Sequence, residues 1–156
     1  MIRRGSQADI PFMRSMLAHA YHWRVAGLET EIPLSRYVDS WGRPGDVAVI
    51  AADGANRVGA AWFRRFSARA PGYGFVDERT PELTIAVVPS KRRHGVGQEL
   101  LDALLARAGA DGVPALSLSV QKGSAAVAFY ERNGFERVGE TDGAITMVRR
   151  LENSRT

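Results

Sequence analysis

The run ELTIAVVPSKRRHGVGQELLDALLARAGADGVPALSLSVQ, residues 82 to 121, constrains the fold more than any other part of the chain. ELTIAVV is rich in apolar and β-branched residues, and Pro89 stops it because proline cannot donate to a strand ladder. Val96, Leu100, Leu101, Leu104, Leu105 and Ala108 then recur at three-four spacing, which predicts an amphipathic helix that GADGVP ends. ALSLSVQ alternates apolar and polar residues and reads as a second strand. Strand, crossover helix and strand make a βαβ unit, which is parallel and right-handed.

Hairpins and short helices surround that unit. Asp9 is placed to cap a helix over IPFMRSMLAHAYHW, with Pro11 in its first turn and Phe12, Met16 and Leu17 as its apolar stripe. PLSRYVDSW, after Pro33, fits a second, shorter helix that Gly42, Pro44 and Gly45 break. DVAVIAADGANRVGAAWFRRF predicts two strands turning at Asp53-Gly54, and FERVGETDGAITMVRRL predicts a closing hairpin about Asp142-Gly143. Between these lies SAAVAFYERNG, a short helix stopped by Asn133-Gly134. SARAPGYGFVDERTP reads as loop or a frayed strand end. There is no internal repeat, low-complexity tract or linker, so the expectation is one mixed α/β domain over residues 1–152 with a short tail at 153–156.

At 156 residues, with 45% hydrophobic and 24% charged, the chain can bury a real core. No apolar run approaches the roughly 18 residues that span a bilayer, and MIRRGSQADIP lacks the apolar middle of a signal peptide, so a cytoplasmic location without a membrane partner is expected. The absence of cysteine excludes disulfides, thiolate nucleophiles and thiolate metal sites. A net charge of +4 invites a nucleic-acid reading. The arginines are scattered from Arg3 to Arg155, however, and the one dense cluster, Lys91-Arg92-Arg93, is too small for a phosphate track. Nineteen arginines against two lysines, with abundant alanine, reflect a GC-rich bacterial genome.

The glycines at 95 and 97 follow a strand end and open a helix. Lacking β-carbons, they let a ligand approach the backbone, while the helix start aims unpaired N–H groups and a positive dipole end into the loop. That combination suits a diphosphate, and Lys91, Arg92 and Arg93 add charge. It is neither a Walker loop nor a dinucleotide fingerprint. The residues alone leave a second reading open, a βα turn that uses glycine for geometry.

VVPSKRRHGVGQELLDALL resembles the acyl-CoA-binding motif of the GCN5-related N-acetyltransferases: Arg or Gln, two residues, Gly, any residue, then Gly or Ala, matched here by Arg92, Gly95 and Gly97. AVAFYERNGFERVG is similar to the Tyr-x-x-x-Gly-Phe segment of that family, and the element order matches over residues 2 to 150. The resemblance implies a mixed, mostly antiparallel sheet splayed at the centre with flanking helices, and acetyl-CoA as cosubstrate between the ELTIAVV and ALSLSV strands. It implies that Val87, Val88, Arg92, Arg93, His94, Gly95, Val96, Gly97 and Gln98 bind the cofactor, with a backbone N–H of Ala86-Val87-Val88 meeting the oxyanion. One position departs: where the family often has asparagine seven residues before the tyrosine, this chain has Gly123.

Acetyl transfer from a thioester needs a neutral amine, an oxyanion donor and a proton for the leaving thiolate. Tyr130, which the resemblance places over the cofactor sulfur, is protonated at neutral pH and suits the last task. Glu82, opening the cofactor-bearing strand, is the candidate base or amine-orienting group, with a water chain as the alternative; Asp77 and Glu78 lie upstream. Both tasks compete with blander readings, an aromatic core for Phe129-Tyr130 and a solvated loop charge for Glu82. His19, His22 and His94 lack a third ligand at useful spacing, so no metal is expected. Tyr21, His22, Trp23, Tyr37 and Trp41 would wall an acceptor, a small-molecule or protein amine, that Asp77 and Glu78 attract. No nucleic-acid partner is expected, and homodimerisation stays open. An acetyl-CoA-dependent N-acetyltransferase, by direct attack in a ternary complex, is the function implied; a noncatalytic acyl-CoA sensor of the same fold is the alternative.

Overall fold

A computed structural model describes residues 1–21, 32–92, 94–141 and 143–151. The strands are β1 (Ile2–Arg4), β2 (Val47–Asp53), β3 (Asn56–Arg64), β4 (Glu82–Val87), β5 (Ala115–Gln121), β6 (Glu136–Thr141) and β7 (Ala144–Arg150). The described helices are α1 (Ile10–Ala20), α2 (Val96–Ala110) and α3 (Ala125–Arg132). The strands hydrogen-bond in the order β1-β2-β3-β4-β5-β7-β6. The β4–β5 pair is parallel and the pairs β1–β2, β2–β3, β5–β7 and β6–β7 are antiparallel. This is the mixed, mostly antiparallel sheet with flanking helices that the resemblance implies.

Two compact units share β4: Met1–Arg64 with Thr84–Ala108, and Arg65–Leu83 with Gly109–Thr156. In the first, α1 buries Met13, Met16 and Leu17, each worth roughly 1.5–3 kcal/mol of transfer free energy. The stripe therefore runs through Met13, while Phe12, assigned to it from sequence, is half-buried. Trp62 is fully buried on β3 and donates its indole N–H to the Tyr37 carbonyl at 3.1 Å. On α2, Leu100, Leu101, Leu104 and Ala108 are buried as the spacing predicts, and the Leu100 side chain lies so close to β3 that a β-carbon at Gly59 would sit 3.0 Å from it. In the second unit, β5 and β7 pair over their full lengths from Ala115↔Arg150 to Gln121↔Ala144.

Two expectations are corrected, and one strand is added. Asp9 does not cap α1 with its side chain; its carboxylate, 1% exposed, accepts from Arg3, Arg57 and the Ser6 N–H. The two bonds from Arg3 are the main reason its pKa lies well below the usual carboxylate range, with Arg57 and Ser6 adding to them against the cost of burial. PLSRYVDSW forms only a 3-10 turn, Leu34–Tyr37. The buried Arg64 guanidinium donates to the carbonyls of Arg36 (3.0 Å) and Asp39 (2.7 Å), so the Arg36 carbonyl serves a side chain rather than a following helical turn. The strand β1 has no local signal at three residues and was not anticipated; it is held by Ile2↔Ala51, Arg3↔Ile50 and Arg4↔Val49. The expected end of the first helix at His22-Trp23, together with Asp142 and the 153–156 tail, lies outside the described residues.

Candidate active site

The loop from Val88 to Gly95 leaves β4 through a 3-10 turn, Pro89–Lys91, and enters α2. Gly95 has φ +82°, a left-handed conformation that strains any residue with a β-carbon, and its carbonyl accepts the first helical bond from the Glu99 N–H at 3.1 Å. Gly97 differs. Its φ is not in the left-handed range, and a β-carbon built on it meets nothing within 4 Å. Neither backbone strain nor packing within the chain accounts for glycine at 97, whereas a ligand lying against the first turn of α2 would.

Two of the basic residues are partly engaged. The Lys91 ammonium lies 3.2 Å from the Asp53 carboxylate, and Arg92 donates from Nε to the Val87 carbonyl at 3.2 Å while remaining exposed. Arg93 lies outside the described residues. His94 is exposed and, with Lys91, Val96, Glu99, Asp53 and Val58, lines a recess of about 200 Å³ beside the loop. Gln98 donates to Asp102 at 2.9 Å, an i,i+4 contact along α2.

Just past β4 the Val88 N–H donates to the Val58 carbonyl of β3 at 2.8 Å, which removes Val88 from the three possible oxyanion donors. Peptide groups alternate in direction along a strand, so the Val87 N–H faces away from β3 and is the best oriented of the three.

The second unit holds the two proposed proton carriers. Tyr130 is 9% exposed on α3, its ring edge-on to Phe129 and Phe135 at centroid distances of 5.2 and 5.5 Å. No hydrogen bond to its hydroxyl is made among the described residues. Burial pushes that hydroxyl well above the ordinary tyrosine value, so it is a proton donor and not a base at neutral pH. Glu82 is 1% exposed, so it is no solvated loop charge. Its register partner on β5 is Ser117, which donates its N–H to the Pro81 carbonyl at 2.9 Å. Ser117 was missed from sequence because the alternation in ALSLSVQ assigns it to a solvated face; the structure buries it completely.

Gly123, at the position of departure, has φ +85° in the turn from β5 to α3. Ser124 then accepts the Ala126 N–H on its hydroxyl at 3.0 Å and so caps α3. Asp77 and Glu78 act within their own loop, accepting the N–H groups of Arg79 (2.9 Å) and Ala68 (3.1 Å). Tyr21 and Tyr37 are buried with ring centroids 5.3 Å apart, which is core packing; Trp41 is half-buried beneath the Arg64 guanidinium at 5.1 Å. His22 and Trp23 lie outside the described residues. Among the described residues no cluster of three metal-ligating side chains occurs.

Comparison with known proteins bears on this arrangement. The profile of the Acetyltransferase (GNAT) family matches residues 11–135. An L-methionine sulfoximine/L-methionine sulfone acetyltransferase of Pseudomonas aeruginosa is 29% identical over 144 residues, covering 89% of this chain and 81% of that one. The crystal structure of a ribosomal-protein-alanine N-acetyltransferase from Brucella melitensis superposes with TM-score 0.72 at 25% identity, over 97% of this chain and 99% of that one. The PaiA N-acetyltransferase of Thermoplasma acidophilum, solved with coenzyme A, superposes with TM-score 0.67 at 18% identity, over 97% and 98%.

Proposed function

Because the chain belongs to the acetyltransferase (GNAT) family and is an N-acetyltransferase, we propose that it transfers acetyl from acetyl-CoA to an amine by direct attack, with both substrates bound at once. The observation that carries the cofactor assignment is Gly97, whose missing side chain faces open space at the start of α2. The CoA diphosphate lies there against the N–H groups of Gly95, Val96, Gly97 and Gln98, with Arg92, Arg93 and His94 around it. The Thermoplasma neighbour, solved with coenzyme A, supports this reading by fold.

In the reaction the amine nitrogen forms a bond to the thioester carbon and loses a proton toward Glu82. The carbonyl oxygen gains negative charge opposite the Val87 N–H, with Val88 lining the same strand end. Collapse of the tetrahedral intermediate breaks the C–S bond, and Tyr130 donates its proton to the departing thiolate. Burial disfavours a bare thiolate as it disfavours a bare phenolate, so the proton affinities of donor and acceptor rise together. No metal takes part. The catalytic domain spans residues 1–152 in the cytoplasm, and no described helix is long and apolar enough to cross a membrane.

The acceptor is a small-molecule or protein amine. The test is free-thiol release from acetyl-CoA across an amine panel that includes L-methionine sulfoximine, L-methionine sulfone and a peptide beginning with alanine. Transfer to one of them supports the enzyme; tight CoA binding with no transfer to any amine leaves the sensor reading instead.

A further inference from the structure

Ser117 is fully buried near the middle of β5, and its Oγ meets no hydrogen-bond partner among the described residues. Its neighbours across the sheet are unlike. On β7 it pairs with Val148, an apolar side chain that offers nothing to a hydroxyl. On β4 it pairs with Glu82, and residues in direct parallel register stand on the same face at about 4.8 Å between strands. A buried hydroxyl beside a buried carboxylate is an unfavourable arrangement unless something polar lies between them. Internal water fills such positions, bonding a buried hydroxyl such as that of Ser117 that meets no partner among the described residues.

We infer that Ser117 is a positioning residue that holds one internal water against the Glu82 carboxylate, and that this water relays the acceptor's proton. This rests on the reading of Glu82 as the base. The water donates one hydrogen to a carboxylate oxygen of Glu82 and accepts the Ser117 O–H. When the bound ammonium gives up a proton, the water takes it and passes one of its own to Glu82. One N–H bond breaks, one carboxyl O–H bond forms, and the water is regenerated. Without the hydroxyl the water loses an anchor, and the charged form of Glu82 loses a stabilising hydrogen bond.

The full chain is compared with Ser117→Ala, Ser117→Cys and Glu82→Gln. Ser117→Ala removes a hydroxyl that bonds no described residue directly, so its melting temperature should stay near the parent's. Its kcat/KM on the best amine of the panel should fall by about 10-fold or more, and the acidic limb of its pH profile should move to higher pH. Carbon NMR of the Glu82 carboxyl, assigned by its loss in Glu82→Gln, needs no acceptor and should show the titration midpoint moving the same way. If Ser117→Ala does not fold, Ser117→Cys keeps the volume with a weaker donor and is judged by the same readouts. A Ser117 variant with the parent's rate, pH profile and carboxyl titration overturns the inference while Glu82→Gln is impaired. A Glu82→Gln protein with the parent's rate and profile instead removes the base assignment, and the inference with it.

Discussion

Tyr130→Phe deletes one hydroxyl and keeps the ring that packs against Phe129 and Phe135. Because that hydroxyl makes no hydrogen bond among the described residues, its removal forfeits none, and unfolding free energy should change by less than about 1 kcal/mol. For a chain of this size that is a shift within about 4 °C in Tm. Loss of a general acid is a larger effect, roughly 10- to 1000-fold in acetyl transfer, or about 1.4 to 4 kcal/mol of transition-state stabilisation. The two magnitudes separate packing from catalysis. The assay is thiol release with saturating acceptor, alongside CoA binding, which should stay near the parent's. An acyl donor with a more acidic thiol should shrink the defect, because its thiolate needs the proton less. The pH dependence of stability gives an independent check. Burial raises the folded-state value of Tyr130 above the unfolded one, so its stabilising contribution is complete below pH about 10 and drains as pH rises from there toward the folded value. Tyr130→Phe should therefore lose less stability than the parent on going to alkaline pH. Equal acetyl transfer by the two proteins, in single turnovers where chemistry limits the rate, refutes the assignment.

Gly97→Val should leave the melting temperature of the free protein within a few degrees of the parent, since its side chain enters open space, yet abolish most of the stabilisation by CoA. Gly95→Val should also destabilise the free protein, by about 1–2 kcal/mol, because φ +82° is strained for valine; thermal melts with and without CoA distinguish the two. Asp9→Asn should cost roughly 1–3 kcal/mol at neutral pH by weakening the bonds from Arg3 and Arg57. The Asp9 contribution is present above pH about 4 and lost as pH falls toward the depressed folded value, so the variant's urea midpoint should vary less than the parent's across acidic pH. Gly74→Ala places a β-carbon 2.6 Å from the Leu118 carbonyl carbon and 2.8 Å from the Ser119 nitrogen. Backbone cannot yield as a side chain can, so a loss of about 1–3 kcal/mol is expected, and an unchanged urea midpoint would show that the loop does not rest on β5 as described.

The parts of the fold legible in sequence are those specified within one element or one turn. Pro89, the leucines of α2 and the Asp53-Gly54 turn each act locally, and the strands and helix they delimit lie where the pattern predicts. The turn at Leu34–Tyr37 was misread as a helix because the Arg36 carbonyl within it and the Asp39 carbonyl just after it are taken by Arg64, 28 and 25 residues away in sequence. Asp9 looked like a cap for the same reason. An aspartate before a helix satisfies the local rule, but Arg57, 48 residues on, together with Arg3 turns its carboxylate elsewhere.

The same distinction governs the candidate site. The glycine loop is local, so its residues and its spacing could be read directly, and Gly95 shows the conformation that the spacing demands. Glu82 and Ser117 carry no such signal. Glu82 was a candidate base only because the resemblance puts the cofactor on its strand, with a solvated charge as the competing reading, and a serine in an alternating strand reads as solvent-facing because a polar residue is usually placed where water can reach it. Both are buried on interior strands, β4 between β3 and β5 and β5 between β4 and β7, a placement that local sequence does not reveal. Placing polar groups there costs free energy that an apolar pair would not, and stability alone would favour replacing them. Retaining a carboxylate and a hydroxyl in register at that cost is intelligible when the pair has a proton to move, which is why Ser117→Ala is expected to keep its stability while losing turnover.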